Sequence, residues 1–187
     1  IEGQEADDVM ATLCVRAEAE AADVLMATND KDLYQLVNHR VRVIPVTGQE
    51  KRALGPDEVR VKTGVGPGLV AEWLALVGDN VDNIPGVPGI GPKTAATLLQ
   101  EHGDIDSVFK NLDTLPRPSW RESLDAHRDR VHANLDVVRL DTDVDCPLDW
   151  DAARVRPEDP GELLPFFERV EFKRMAERCR QGDLFGG

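Results

Sequence analysis

Residues 75–99 read ALVGDNVDNIPGVPGIGPKTAATLL, and the other signals in the chain make sense around this stretch. In its second half, Gly89-Ile90-Gly91-Pro92-Lys93-Thr94-Ala95 followed by Leu98-Leu99 has the pattern of a helix-hairpin-helix. Two glycines permit a tight turn and a close backbone approach, and Thr94-Ala95 opens a good helix former. A helix starting there aims unpaired backbone N–H groups outward as a ready phosphate site, and Lys93 adds a point charge beside them. The first half is a different device. Asp79 and Asp82 stand three apart in a loop bounded by Gly78 and Asn83. Carboxylates at that spacing beside a phosphate grip suggest a metal held next to a nucleic-acid backbone. A plain Gly/Pro loop between two helices is the alternative, and it leaves the fixed register of acids and hairpin unexplained.

The segment GDNVDNIPGVPGIGPKTA resembles the corresponding part of 5′-nucleases of the flap-endonuclease type, in particular the 5′→3′ exonuclease domain of bacterial DNA polymerase I. Three further stretches carry the same resemblance. In EADDVMATL, Glu5, Asp7 and Asp8 precede an apolar helical stripe of Val9, Met10 and Leu13. On a helix Glu5 and Asp8 fall on nearly one face with Asp7 beside them. By themselves these acids fit a favourable interaction with the helix dipole; the resemblance makes them metal-binding acids. TNDKDLYQL follows a short apolar run, Asp23–Thr28, that reads as a buried parallel strand. Asp30 and Asp32 then lie at a strand's carboxyl end, where ligands sit in open α/β sheets. Asp30 also suits a helix N-cap, and Lys31 is expected to point to solvent or to a substrate backbone. Near the C-terminus, FFERVEFKRM is similar to the family's closing helices.

The implied fold is α/β: a PIN-like (Rossmann-like) catalytic core fragment followed by a mainly helical helix-hairpin-helix DNA-binding lobe. Residues 1–64 are expected to form the C-terminal portion of the metal-dependent core. Residues 65–150 would form the lobe, 151–180 the closing helices and 181–187 a tail.

The resemblance implies two-metal phosphodiester hydrolysis with Mg²⁺ or Mn²⁺. It places Glu5, Asp7 and Asp8 nearer one ion and Asp30, Asp32, Asp79 and Asp82 nearer the other, with all of these except Glu5 counted as catalytic. A set of carboxylates without His or Cys suits such a hard, oxygen-seeking cation. Gly89, Ile90, Gly91, Lys93 and Thr94 are the expected DNA-binding residues, and the resemblance adds a potassium ion at their hairpin. The implied substrate is DNA with a 5′ end or 5′ flap, in replication and repair. The main alternative is a structure-specific DNA-binding module without catalysis. An RNA-cleaving relative on the same core is a third reading, and the hairpin argues against it.

Family members place a further metal-binding Asp, and the arch that threads the 5′ end, upstream of residue 1. The chain therefore reads as a fragment of a nuclease domain, and with no polymerase region after it a stand-alone nuclease is the preferred parent. The final residues, Gln181 to Phe185, resemble the peptide by which bacterial replication proteins dock on the sliding clamp. Gly182 departs from that pattern, and a functionless tail is the plainer reading.

Composition sets outer limits. The chain has 187 residues with a net charge of −13, a pI near 4.7 and a mean hydropathy of −0.35. The charge argues against nucleic acid at first sight, but divalent cations neutralise a carboxylate-lined site on binding. No apolar run approaches the roughly 20 residues that span a bilayer, and the expected location is the cytoplasm, with the bacterial nucleoid. Cys14, Cys146 and Cys179 lie far apart and fit a reducing compartment. The arginines Arg117, Arg121, Arg128 and Arg130 interleave with acids and read as a solvated, salt-bridged face. The Asp-rich run Asp141–Asp151 lacks the order and the glycine of an EF-hand loop. Elsewhere Pro56–Thr63 and Pro67–Val77 read as helices, Thr47-Gly48-Gln49-Glu50 as a turn, Val137–Leu140 as a short strand or extended segment, and Ser119 as the N-cap of a helix with Glu122 completing a capping box.

Overall fold

A computed structural model describes residues 1–48, 52–156 and 159–182. They fall into two compact units, Ile1–Cys146 and Pro147–Gly187. The chain enters through α1 (Ala6–Ala19), β1 (Val24–Ala27), a 3₁₀ turn (Asp32–Leu36) and β2 (Val41–Ile44). The helices α2 (Pro56–Thr63) and α3 (Val70–Val77) lead to a small hairpin, β3 (Gly78–Asp79) and β4 (Ile84–Pro85). Four helices complete the first unit: α4 (Pro92–His102), α5 (Ile105–Lys110), α6 (Pro118–Ala126) and α7 (Arg128–Val138). The second unit contains α8 (Pro160–Arg169) and α9 (Lys173–Gln181).

β1 and β2 pair in parallel with Val24 opposite Val41 and Ala27 opposite Ile44. Parallel strands need a crossover connection of about a dozen residues, and the 3₁₀ turn lies within it. Met26, Val41 and Val43 are buried, whereas Leu25 is 58% exposed. The expected fully buried strand is thus covered on one face only.

The centre of the first unit is α3. Val70, Trp73, Leu74, Ala75 and Leu76 are all buried, so the helix is apolar nearly all round and must be enclosed. It packs on α7, α4 and the 3₁₀ turn. One continuous hydrophobic core runs from Cys14 through Val43, Leu74 and Leu99 to Val138, so the α/β part and the helical part share a single interior. In the second unit Phe167, Ala176 and Cys179 form a separate small core, closed by an Arg180–Glu168 ion pair at 2.6 Å.

Several local expectations change. Val137 and Val138 belong to α7, not to a strand, because Val131, Asn134 and Val138 recur at helical spacing on the buried face. Pro118 takes the first position of α6 with Arg117 at the N-cap, so Ser119 lies inside the helix; proline's fixed φ favours that start. Pro67–Leu69 is a 3₁₀ turn that leads into α3. Pro56–Thr63 is a helix as expected and ends on Gly64 at φ +85°. Gln49 and Glu50, read as a turn, lie outside the described residues. Among the described residues no helix is long and apolar enough to cross a membrane, and the three cysteines are free and buried.

Candidate metal centre

Two loops deliver the acids, and each is fixed by its own backbone. The first follows β1. Thr28 Oγ1 accepts the Asp30 N–H at 3.0 Å, and Asp30 Oδ1 accepts the Asp32 N–H at 3.0 Å. Asn29 Oδ1 accepts N–H groups of Val46 and Thr47, which lashes this loop to the segment after β2. The second loop is the turn of the β3–β4 hairpin, where Asp79 pairs with Ile84 and Gly78 with Pro85. Asn83 sits at φ +57°, a conformation its short polar side chain tolerates. Asp79 Oδ1 accepts the Val81 N–H at 2.8 Å.

The hairpin's base is a close crossing of backbone on backbone. A Cβ on Gly86 would stand 2.0 Å from the Val77 carbonyl oxygen, and one on Gly78, at φ +77°, would stand 2.3 Å from the Gly86 nitrogen. Asn134, buried in α7, ties the crossing to the core. Its Nδ2 donates to the Ala75 carbonyl at 3.0 Å and to the Pro85 carbonyl at 2.9 Å. Sequence reasoning passed over Asn134, although a signal exists: a polar residue on the apolar stripe of Val131 and Val138.

The loops bring Asp32, Asp79 and Asp82 together, with one carboxylate oxygen of each within 4.8 Å of the others. Asn29, Asp30, Lys31, Val81 and Asp82 line, with Asp79, an open depression of about 290 Å³ beside them. Asp32 Oδ1 is buried without a hydrogen-bond partner. Burial, and then the charges of Asp30, Asp82 and Asp79, push the Asp32 carboxyl up to about 7. The same physics raises Asp7, through burial first and then Asp30, Glu5, Asp8 and Asp82. Asp7 therefore faces the field of both loops. Asp79 goes the other way: burial would raise it, but the hydrogen bonds from Lys31 and from the Val81 N–H outweigh burial and hold it below the ordinary aspartate value. Lys31 Nζ stands 2.5 Å from Asp79 Oδ2, so this lysine turns into the cluster instead of pointing to solvent.

An orphaned buried carboxylate oxygen among converging carboxylates is a site short of positive charge. Oxygen-only donors fit Mg²⁺ or Mn²⁺ and exclude the thiolate or imidazole set of a structural zinc site. Asp32, Asp79 and Asp82 are the residues placed to hold such an ion. Asp30 is engaged by Asp32 through its own Oδ1. Glu5 is the exposed N-cap residue of α1. Asp8 is partly committed elsewhere, since its Oδ1 accepts the Asp141 N–H at 2.9 Å.

The hairpin at residues 87–94 is built on a turn in which the Ile90 N–H donates to the Val87 carbonyl at 3.0 Å, with Gly89 at φ +81°. Gly91 is the extended N-cap of α4 and Pro92 its first residue. Lys93 and Thr94 follow in the first turn, where N–H groups have no partner within the helix. Trp73 Nε1 donates to the Pro92 carbonyl at 3.0 Å and Ser123 Oγ to the Pro88 carbonyl at 2.6 Å. Ile90 is buried, so it anchors the turn while Gly89, Gly91, Lys93 and Thr94 stay at the surface. Of the arginine face, Arg128 pairs with Asp125 as expected, whereas Arg121 donates to the Leu115 carbonyl and Arg117 lies over Trp120.

Comparisons with known proteins agree with this architecture. The family described as 5′-3′ exonuclease, N-terminal resolvase-like domain, matches residues 1–64. The companion family, 5′-3′ exonuclease, C-terminal SAM fold, matches residues 65–161. DNA polymerase I of Rhizobium leguminosarum is 41% identical over 95% of this chain, and the thermostable DNA polymerase I of Thermus aquaticus is 42% identical over 92%. The chain spans 18% and 20% of those two proteins. Among solved structures, T5 5′-exonuclease with bound zinc ions superposes with a TM-score of 0.67 at 26% identity, over 76% of this chain and 52% of that one. A bacteriophage T5 flap endonuclease variant, in a pseudo-enzyme–product complex with DNA and metal ions, gives 0.65 at 27% identity with the same coverage. With both family descriptions matched end to end across residues 1–161, the chain belongs to the 5′-3′ exonuclease family.

Proposed function

We propose that this chain carries the carboxylate centre and duplex grip of a metal-dependent 5′-nuclease, acting on DNA with a 5′ end or 5′ flap. The convergence of Asp32, Asp79 and Asp82 around an unpartnered buried oxygen supports this reading above all. Divalent ions bound there would activate a water for attack and neutralise the leaving oxygen. Asp32 and Asp79 would hold them from loops pinned by side-chain-to-backbone hydrogen bonds, and Asp7 would add its charge from the start of α1. The two-ion partition assigns Glu5, Asp7 and Asp8 to one ion and Asp30, Asp32, Asp79 and Asp82 to the other.

The surface residues of the hairpin would bind duplex phosphates through the first-turn N–H groups of α4 and the Lys93 ammonium, without reading sequence. A potassium ion on the hairpin's carbonyls would brace it. Sliding-clamp docking through Gln181–Phe185 is a further proposal, and residues 183–185 lie outside the described residues. Residues 1–64, 65–150 and 151–180 are proposed to serve as core, DNA-binding lobe and closing helices, although core and lobe share one interior.

The test is cleavage of a 5′-labelled flap duplex with Mg²⁺ or Mn²⁺, with an Asp79→Asn/Asp82→Asn double variant alongside. Metal-dependent cutting that the variant loses supports the reading. Flap binding without cutting, in a chain extended upstream as well as in this one, would instead make it a structure-specific binding module.

A further inference from the structure

We propose that Lys31 is a tethered counter-ion of the carboxylate centre, seated on an Asp79 oxygen that faces incoming cations and displaced when a divalent cation binds. This rests on the reading of Asp32, Asp79 and Asp82 as a metal centre. Asp79 is 6% exposed, and its Oδ1 is occupied by the Val81 N–H. Oδ2 is therefore the oxygen less engaged by the backbone, and Lys31 Nζ stands on it at 2.5 Å. A hard divalent ion binds a carboxylate oxygen at about 2.0–2.2 Å, so ion and ammonium contest the same lone pairs and repel one another. Without a cation, Asp79 would be a buried charge facing Asp32 and Asp82, which is costly unless paired. Lysine is well suited to yielding its place, because a compact charge on a flexible stem with three rotatable donors can leave without disturbing the backbone. The Asp30-Lys31-Asp32 turn thus delivers two acids and their provisional cation together.

Titration of the intact chain with Mn²⁺, followed by calorimetry and by the electron paramagnetic resonance of free Mn²⁺, tests this with Lys31→Met and Lys31→Arg beside the wild type. Lys31→Met keeps the stem and removes the charge. It is expected to bind Mn²⁺ about two- to fivefold more tightly, the loss of one partly exposed ion pair, and to melt lower than wild type only when metal is absent. Lys31→Arg, which keeps the charge on a fork that yields less readily, should bind Mn²⁺ no more tightly than wild type. In parallel, reductive ¹³C-methylation marks the Lys31 ammonium, assigned by its absence in Lys31→Met, and its resonance should move when Mg²⁺ is added. Equal or weaker Mn²⁺ binding by a folded Lys31→Met overturns the counter-ion role. Tighter binding with an unmoved Lys31 resonance also overturns it, because the lysine would then act only through its field. No Mn²⁺ binding by either wild type or Lys31→Met removes the metal centre itself, and the inference with it.

Discussion

Asp8 accepts a 2.9 Å hydrogen bond from the backbone N–H of Asp141, 133 positions further along the chain. One turn on, Thr12 Oγ1 accepts the Val144 N–H at 3.0 Å, and a turn beyond that Arg16 donates to the carbonyls of Val144 and Cys146. Residues four apart share a helix face, so α1 grips residues 141–146 through Asp8, Thr12 and Arg16. Two of the acids in the Asp-rich run Asp141–Asp151 brace backbone turns: Asp141 Oδ1 accepts the Asp143 N–H, and Asp149 Oδ1 accepts the Asp151 N–H.

Thr12 is buried, so Thr12→Val leaves the Val144 N–H unsatisfied and is expected to cost about 1–3 kcal/mol in urea unfolding. Asp8→Asn keeps an acceptor for Asp141. It should leave stability within about 0.5 kcal/mol while weakening Mn²⁺ binding, which separates the structural from the electrostatic duty of Asp8.

Asn134→Ala removes the donor shared by the Ala75 and Pro85 carbonyls and opens a gap behind the metal loop. The expected loss is about 2–3 kcal/mol, with weaker Mn²⁺ binding although no ligand has changed. Undiminished Mn²⁺ affinity in a destabilised variant would show that the loop holds its shape without Asn134.

The Asp32 carboxyl is raised from an ordinary 3.8 to about 7. Its contribution to metal-free stability is therefore complete below about 3.8 and is lost as pH rises through about 7, because the folded form retains a proton that the unfolded form has released. Metal binding must expel that proton. Mn²⁺ affinity should accordingly rise from about pH 5 to about 7 and level off above it, and Asp32→Asn should flatten that part of the profile. A flat wild-type profile would contradict the assignment of Asp32 as a ligand.

Lys93 sits at the surface in the first turn of α4. Lys93→Ala should weaken flap-duplex binding equally across sequences and reduce the slope of log affinity against log salt by about 1. A loss confined to particular sequences would mean that the hairpin reads bases.

The site was legible where chemistry forces a local pattern. Gly89 with Gly91 and Pro92, or Asp79 with Asp82, can be read because turn geometry and ligand type dictate residue and spacing together. Lys31 misled because nothing local distinguishes a lysine facing water from one facing a carboxylate delivered by a distant loop. Val137-Val138 misled for a related reason: β-branched residues favour strands only weakly, and packing of Val131 and Val138 in the core decides for the helix. The grip of α1 on residues 141–146 left no trace, since hydrogen bonds to main-chain groups are indifferent to the partner's side chain.

The crossing of Gly78 and Gly86 has a genetic consequence. A screen for variants that lose metal binding should return two populations. One would be chemical lesions at the acids, where shape survives and charge does not. The other would be lesions at these two uncharged positions, where a single methyl group meets the Val77 carbonyl or the Gly86 nitrogen and every ligand remains present but misplaced. Restoring charge rescues neither glycine, so intolerance to alanine at 78 and 86 would mark the loop's geometry as inherited independently of its chemistry.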